Sequence, residues 1–262
     1  MGETRRVAVV GAASGIGADL LARWVERGDE VHVLDHVAVG GADAASIACD
    51  LRDPASIESA VRALPDGLDA VAHVAGVPGT RPADDVLAVN FLGMRHLVEL
   101  VLPKVVPGGA VTVVASTAGG AWRARLPALE PLLATDSVAA GLAWLSDTPA
   151  GYPVYNLSKE AAIAFVARRS VAAWREGRVR LNTVSPGPVE TPILGDFEQS
   201  MGKDVLDGVR AAVGRHATTA DVVPVIDAVC GAGFGWVIGQ DVQVDAGFMA
   251  GLASGATVLA GR

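Results

Sequence analysis

Cysteine is scarce in this chain: Cys49 and Cys230 are the only two in 262 residues, and their contexts are unrelated. Without metal-ligand spacing they read as buried or idle thiols in a reducing cytosol, and no metal is expected. Aromatic residues make up 5% of the chain, with two tyrosines, and lysine occurs at three positions only. The formal net charge is −8 with no block of like charge, which argues against a nucleic-acid-binding surface. No window offers the roughly 20 uninterrupted apolar residues of a membrane span. The richest region, Val86 to Ser116, is broken by Asn90, Arg95, His96, Glu99, Lys104 and the Pro107-Gly108-Gly109 turn. The apolar run that begins at Val7 is too short for a secretion signal and ends in the glycines at 11 to 17. Together these absences predict a soluble, cytoplasmic protein.

What the chain does contain is Ala, Val and Gly, in a composition that is 51% hydrophobic. Thin apolar runs recur at Val7–Val10, Val31–Leu34, Ser46–Cys49, Ala70–Val74, Ala110–Ala115, Val179–Val184 and Asp241–Asp245. Helical spacing lies between them: after Gly17 up to Gly28, from Pro54 to Leu64, from Asp84 to Leu102, over 153–176 up to Gly177, and over Ala220–Cys230. Short apolar strands alternating with helices predict an α/β fold with a doubly wound parallel sheet. No repeat, linker or change of composition divides the chain, so residues 1–262 read as one domain.

Two places carry chemistry. Gly11, Gly15 and Gly17 form the first strand-to-helix turn, where backbone N–H groups and a positive helix end suit a pyrophosphate. Asp35 ends the second strand, placed to accept hydrogen bonds from ribose hydroxyls and to repel a 2′-phosphate. Its neighbours Ser14 and His36 supply no Arg or Lys, so NAD is preferred over NADP. Farther on, Tyr155 and Lys159 stand four residues apart, one turn along a single helix face. An ammonium near a phenol lowers its pKa from about 10 by roughly one to three units, which makes a proton-transferring tyrosine feasible.

Gly11-x-x-x-Gly15-x-Gly17 with Tyr155-x-x-x-Lys159 resembles the short-chain dehydrogenase/reductase family over nearly the whole chain. Asp50-Leu51, Ala75-Gly76, Asn90, Ser116, Asn182-Thr183-Val184-Ser185-Pro186-Gly187 and Val244-Asp245-Ala246-Gly247 are similar to its further motifs, in the same order. The resemblance implies a Rossmann-type sheet of about seven strands in the order 3-2-1-4-5-6-7, helices on both faces, and a homodimer or homotetramer. It implies a catalytic set of Asn90, Ser116, Tyr155 and Lys159. Tyr155 would move the proton, Lys159 would lower its pKa and hold the nicotinamide ribose, Ser116 would fix the substrate oxygen, and Asn90 would anchor a water linking Lys159 to solvent. It implies NAD contacts from Gly11, Ser14, Gly15, Ile16, Gly17, Asp35, Asp50, Leu51, Ala75, Gly76, Tyr155, Lys159, Pro186, Gly187, Val189 and Thr191. The substrate would be a small alcohol or ketone.

This chain departs from the family's pattern at three points. His73-Val74 replaces a pair of asparagines, and His73 reads as structural rather than catalytic; Val10 stands where many members have Thr. A long stretch, 121–151, separates Ser116 from Tyr155 and bears Trp122, Leu126, Leu129, Leu132, Leu133, Leu142, Trp144 and Leu145. It is expected to cover the substrate or to alter the subunit interface. That layout is similar to a subgroup that includes bacterial 3α-hydroxysteroid dehydrogenase/carbonyl reductase, implying a bulky apolar substrate such as a steroid or an aromatic alcohol. A lid is expected from 193–216, with Phe197, Met201, Leu206 and Val209, and a contribution to the pocket of this or a neighbouring subunit from Gly247, Phe248, Met249 and Leu252. Two other readings stand beside this one: a β-ketoacyl thioester reductase, and a catalytically silent NAD-binding sensor.

Overall fold

Val7 and Val9 point to one side of the first strand, β1 (Arg6–Val10), and Ala8 and Val10 to the other; all four are buried. A strand covered on both faces reads as an unbroken apolar run, and this one sits near the middle of a sheet with helices above and below. The computed structural model describes residues 4–39, 44–147 and 151–257. The other strands are β2 (Glu30–Asp35), β3 (Ala44–Ala48), β4 (Leu68–His73), β5 (Val105–Val114), β6 (Arg180–Pro186) and β7 (Asp241–Val244). All pair in parallel in the order β3-β2-β1-β4-β5-β6-β7, the order implied by the resemblance.

On one face lie α1 (Gly15–Glu26) and α10 (Thr219–Cys230), which bury Leu20, Trp24, Val222, Ile226 and Val229 against Val7, Val9, Val31 and Val33. The other face carries α2 (Pro54–Ala63), α3 (Ala83–Leu87), α4 (Met94–Val101) and α7 (Val154–Gly177), packed on Ala8, Val10, Val71, Val111 and Val113. Chain order reverses between β1 and β4, and a crevice opens outside their carboxyl ends.

Three local details differ from the sequence reading. The helix expected over Asp84 to Leu102 is interrupted by a π-helical stretch, Ala88–Gly93, which contains Asn90. Helical spacing hides this, because one extra residue in a turn leaves the apolar pattern almost intact. The helix expected to stop at Gly177 includes it, and Arg178 takes the left-handed conformation (φ 57°) with its guanidinium over the Trp174 ring. The span Ala83–Lys104 is long and apolar enough to cross a membrane by length and composition, contrary to the expectation of no such window. In the fold, 67% of its most apolar window is buried, as in the core helix of a globular sheet.

The stretch 121–151, of which residues 148–150 lie outside the described residues, forms α5 (Trp122–Leu133) and α6 (Val138–Asp147). Leu129 and Leu132 are fully buried, and α5 lies along α7. The junction is polar at one point. Glu160, fully buried, accepts from Arg125 Nε (2.8 Å) and from the Tyr152 hydroxyl (2.6 Å). Burial and that carboxylate push the Tyr152 phenol up to about 12.

Candidate active site

Two adjoining cavities occupy the crevice. The first, about 270 Å³, is lined by Gly11, Ser14, Gly15, Ile16, Gly17, Asp35, Asp50, Leu51, Ala75, Gly76 and Thr191, all assigned to the cofactor from sequence. The turn is tight enough to exclude side chains. A Cβ on Gly17 would lie 1.8 Å from the Gly11 carbonyl oxygen, and one on Gly11 would lie 2.5 Å from the Ala75 Cα. Ser14 leads into α1 without capping it, so the first N–H groups of that helix are left for a ligand's acceptors. The Asp35 carboxylate is held in place by both strand exits, accepting from Ala13 N in the glycine turn (2.9 Å) and from Val37 N just after β2 (3.2 Å). A backbone cradle at a helix start, with a carboxylate at the next strand end, fits a dinucleotide.

Sequence reasoning missed several residues of this wall, among them Arg52, Arg81, Val77, Val89 and Ile193. Arg52 directly follows Asp50-Leu51, and its charge was a usable signal. The structure ties its guanidinium to the Asp50 carboxylate at 3.0 and 2.7 Å. The two groups shift each other: Arg52 holds Asp50 below the usual carboxylate range, chiefly through that hydrogen bond.

The second cavity, about 130 Å³, is apolar over most of its wall and meets the first at Ile16, Val74, Gly76, Val77, Thr191 and Ile193. Ser116, Tyr155 and Lys159 line it together, with Pro186, Gly187 and Val189 on the far side. From the lid stretch, α8 (Leu194–Met201) supplies Phe197 and Met201, and α9 (Lys203–Val213) supplies Leu206. The Phe197 ring lies 5.1 Å from that of Tyr155. Across the cleft the Thr80 hydroxyl donates to Asp196 at 3.0 Å, tying α8 to the loop after β4. Val209 lines neither cavity, nor do Gly247, Phe248, Met249 and Leu252, nor any described residue of 121–151. Covering the substrate is therefore not what the long stretch does within this subunit.

Each reactive side chain is held by local structure. Ser116 ends the β5 segment, and its Oγ accepts from Ala118 N at 3.2 Å. Gly119 lets the following turn press against α7, since a Cβ there would meet Lys159 backbone at 2.8 Å. Asn156 Nδ2 donates to the Ala118 carbonyl at 3.2 Å, pinning α7 to that turn. The Ser158 hydroxyl donates back to the Tyr155 carbonyl at 2.7 Å. Asn90 lines neither cavity. Its Oδ1 accepts from Val77 N (2.8 Å), and its Nδ2 donates to Val77 O (3.0 Å) and Ser158 Oγ (3.3 Å). Its side chain thus braces the loop and the helix.

The electrostatics differ from the simple picture of an ammonium lowering a phenol. Tyr155 is 8% exposed, and burial pushes its phenol up to about 12, with the Ser116 hydroxyl the one group pulling it back. Lys159 is 6% exposed, and burial pushes its ammonium down to about 8. Its Nζ donates to the Val114 carbonyl at 3.2 Å and stands 5.8 Å from the centre of the Tyr155 ring. Spacing four places the two on one face, but desolvation is what dominates both groups. The expected lowering of Tyr155 is absent from this form.

Residues 5–128 match the family model described as short chain dehydrogenase, and residues 124–249 match the one described as Enoyl-(Acyl carrier protein) reductase. A coniferyl-alcohol dehydrogenase of Pseudomonas sp. strain HR199 is 32% identical, over 93% of this chain and 96% of that protein. A 3-alpha-hydroxysteroid dehydrogenase/carbonyl reductase of Comamonas testosteroni is 28% identical, over 92% of this chain and 95% of that one. Among solved structures, the 3-alpha-hydroxysteroid dehydrogenase of Pseudomonas sp. B-0831, complexed with NADH, superposes with a TM-score of 0.80. Its sequence is 30% identical, with 97% of this chain and 100% of that one covered.

Proposed function

This chain belongs to the short-chain dehydrogenase/reductase family and is an oxidoreductase acting on CH–OH groups; from that premise we propose that it interconverts an apolar, ring-bearing secondary alcohol and its ketone with NAD(H). The observation that carries the reading is the 130 Å³ apolar cavity that brings Ser116, Tyr155 and Lys159 to the edge of the dinucleotide cavity. A cavity of about 150 Å³ lined by apolar side chains takes a benzene ring. At about 130 Å³ the space is nearer in size to a single-ring alcohol than to a steroid, and a steroid requires the larger outward movement of α8 and α9.

Bound in the first cavity, the dinucleotide would supply the hydride acceptor for oxidation and the donor for reduction. The chain's own residues do the rest. Ser116 hydrogen-bonds the substrate oxygen and sets its distance from Tyr155. The Tyr155 phenol gives its proton to the oxygen in reduction and takes the hydroxyl proton in oxidation. Lys159, charged below about pH 8, holds the ribose and favours the phenolate. Asn90 keeps the Val77 loop and Ser158 in register with them. Since burial pushes Tyr155 up to about 12, the base is scarce at neutral pH. Oxidation therefore speeds up as pH rises toward 8, where Lys159 begins to lose its charge, whereas reduction, whose phenolic acid is already fully protonated at neutral pH, changes little with pH there.

The preference for NAD over NADP is supported by Asp35, whose carboxylate lines the dinucleotide cavity and would repel a 2′-phosphate, and by the engagement of Arg52, in the same wall, by Asp50. A cytosolic location and a homodimer or homotetramer belong to the same proposal. The long stretch lies along α7, leaving an assembly surface elsewhere, such as the rim around Trp236, which is 86% exposed. The test is a set of initial rates with both cofactors on a 1-arylethanol, a cinnamyl-type alcohol, a 3α-hydroxysteroid and a β-hydroxyacyl thioester. The proposal expects the aryl alcohol with NAD to lead. A thioester turned over best with NADP would favour the ketoacyl reductase reading. NADH binding with no turnover of any substrate would favour the sensor.

A further inference from the structure

His73 is the last residue of β4 and is 1% exposed. Strand alternation turns it to the same side as Val71, toward the core beneath the π-helical stretch and α7. Neither Nδ1 nor Nε2 has a partner. Among the described residues only two other side chains hold such an orphaned buried atom, His96 Nε2 and Arg169 Nη1. His96 is paired with Glu58, and Arg169 bonds Glu99 and Glu176 through its other nitrogens. Among the described residues His73 stands alone in having both polar atoms of its side chain unpartnered.

That imidazole is neutral, because burial and the charge of Lys159 push it down to about 3. A neutral imidazole carries one donor and one acceptor, and burying both unpaired is costly unless water is enclosed with them. Lys159 has the matching need. Of its three N–H groups one is used, toward the carbonyl of Val114, the residue after Val113, which pairs with His73 across the sheet. A Cβ on Gly76, three residues beyond His73, would lie 3.3 Å from both Lys159 Nζ and Asn90 Oδ1. The ammonium, the Asn90 amide and the exit of β4 therefore meet at one level of the fold. The Asn90 amide is held in place there by Val77 and Ser158.

We propose that His73 is a positioning residue for Lys159: an enclosed water accepts an N–H of the ammonium and donates to the unprotonated ring nitrogen of His73. The water site is thus set from the sheet by His73. This fixes the ammonium's height in the cleft and, through it, the ease with which Tyr155 exchanges its proton. The inference rests on the assignment of Tyr155 and Lys159 to proton transfer. Of the charges around the ring, Lys159 on α7 is the one that acts on it. Tyr155 is the other titratable group of the catalytic turn; the lateral neighbours Val10 and Val113 are apolar, and the π-helical stretch contains no titratable residue.

The test compares His73→Val with His73→Asn, whose amide both donates and accepts. In His73→Val, kcat for alcohol oxidation should fall by about tenfold to a hundredfold, with KM for NAD within about twofold. Its pH–kcat profile should shift, and His73→Asn should recover most of the rate and the wild-type profile. A His73→Val enzyme with wild-type kcat and an unshifted profile overturns the proposal and leaves His73 a packing residue. Should His73→Val fail to fold, ¹⁵N NMR of the wild-type imidazole decides. A ring nitrogen hydrogen-bonded as an acceptor, whose resonance moves in Lys159→Met, supports the water. A nitrogen without a hydrogen bond, or one unmoved by Lys159→Met, refutes it. Tyr155→Phe runs alongside: if that variant stays active, the assignment of the site fails, whatever His73 does.

Discussion

The two cavities are built differently. The dinucleotide cavity is walled by strand ends and backbone. Gly11 touches Ala75, Gly17 touches Gly11, and Asp35 is fixed by one N–H of the glycine turn and one of its own loop. The substrate cavity has such a wall on one side only, at Ser116, Tyr155 and Lys159. Its other side is α8 and α9, resting on the ring contact of Phe197 with Tyr155 and on the hydrogen bond from Thr80 to Asp196. A wall of backbone admits one shape of ligand. A wall of apolar helix ends can move and repack, so on the proposed reading the backbone-walled sides hold the cofactor and the reacting groups, and α8 and α9 set the choice of substrate.

Substitutions can break or sharpen this contrast. Tyr155→Phe acts where the cavities meet and should lower kcat by about 10²–10⁴-fold, with NADH affinity by fluorescence titration unchanged. Large residual turnover would place the proton donor elsewhere. Gly17→Ala strikes the backbone wall. The added methyl has nowhere to go, and stability should fall by about 1–3 kcal/mol with loss of NADH binding. A variant with wild-type Tm and affinity would show that the wall yields. Asp35→Ser should raise the NADP/NAD ratio of kcat/KM by about tenfold or more, because a like-charge repulsion is removed. An unchanged ratio would take Asp35 out of the ribose site. Thr80→Val loosens only the mobile wall. Loss of one exposed hydrogen bond is worth about 1 kcal/mol, so substrate KM should rise by no more than about fivefold with kcat and NADH affinity preserved. A fall in NADH affinity equal to the rise in KM would mean that the latch serves both cavities.

The same division governs what could be read from sequence. Gly11, Gly15, Gly17, Asp35, Asp50 and Ala75-Gly76 lie at strand ends, where position in the chain dictates position in space, and all line one cavity. Tyr155 and Lys159 are one helical turn apart, so their shared face was legible, but their protonation was not. Spacing says nothing of desolvation, which raises the one and lowers the other. Arg52 and Arg81 reach the cofactor wall from loops with no periodic signal. The π-helical stretch around Asn90 was hidden because an inserted residue barely disturbs an apolar pattern. Residues 121–147 read as apolar and available to the cleft. They were instead spent on the outer side of α7, a choice decided by tertiary packing of Leu129 and Leu132.

The central claim is that Tyr155 exchanges the proton and is readied for it by Lys159 beside the bound dinucleotide. The most direct measurement is the Tyr155 titration itself, followed by NMR of ¹³Cζ-labelled tyrosine. The chain has only two such residues, and Tyr155→Phe assigns them. The phenol should titrate near 12 in the unliganded protein, as burial dictates, and lower by roughly one to three units once NAD⁺ is bound, with the fall much reduced in Lys159→Met. A Tyr155 resonance that titrates at the same pH with and without NAD⁺ would contradict the account.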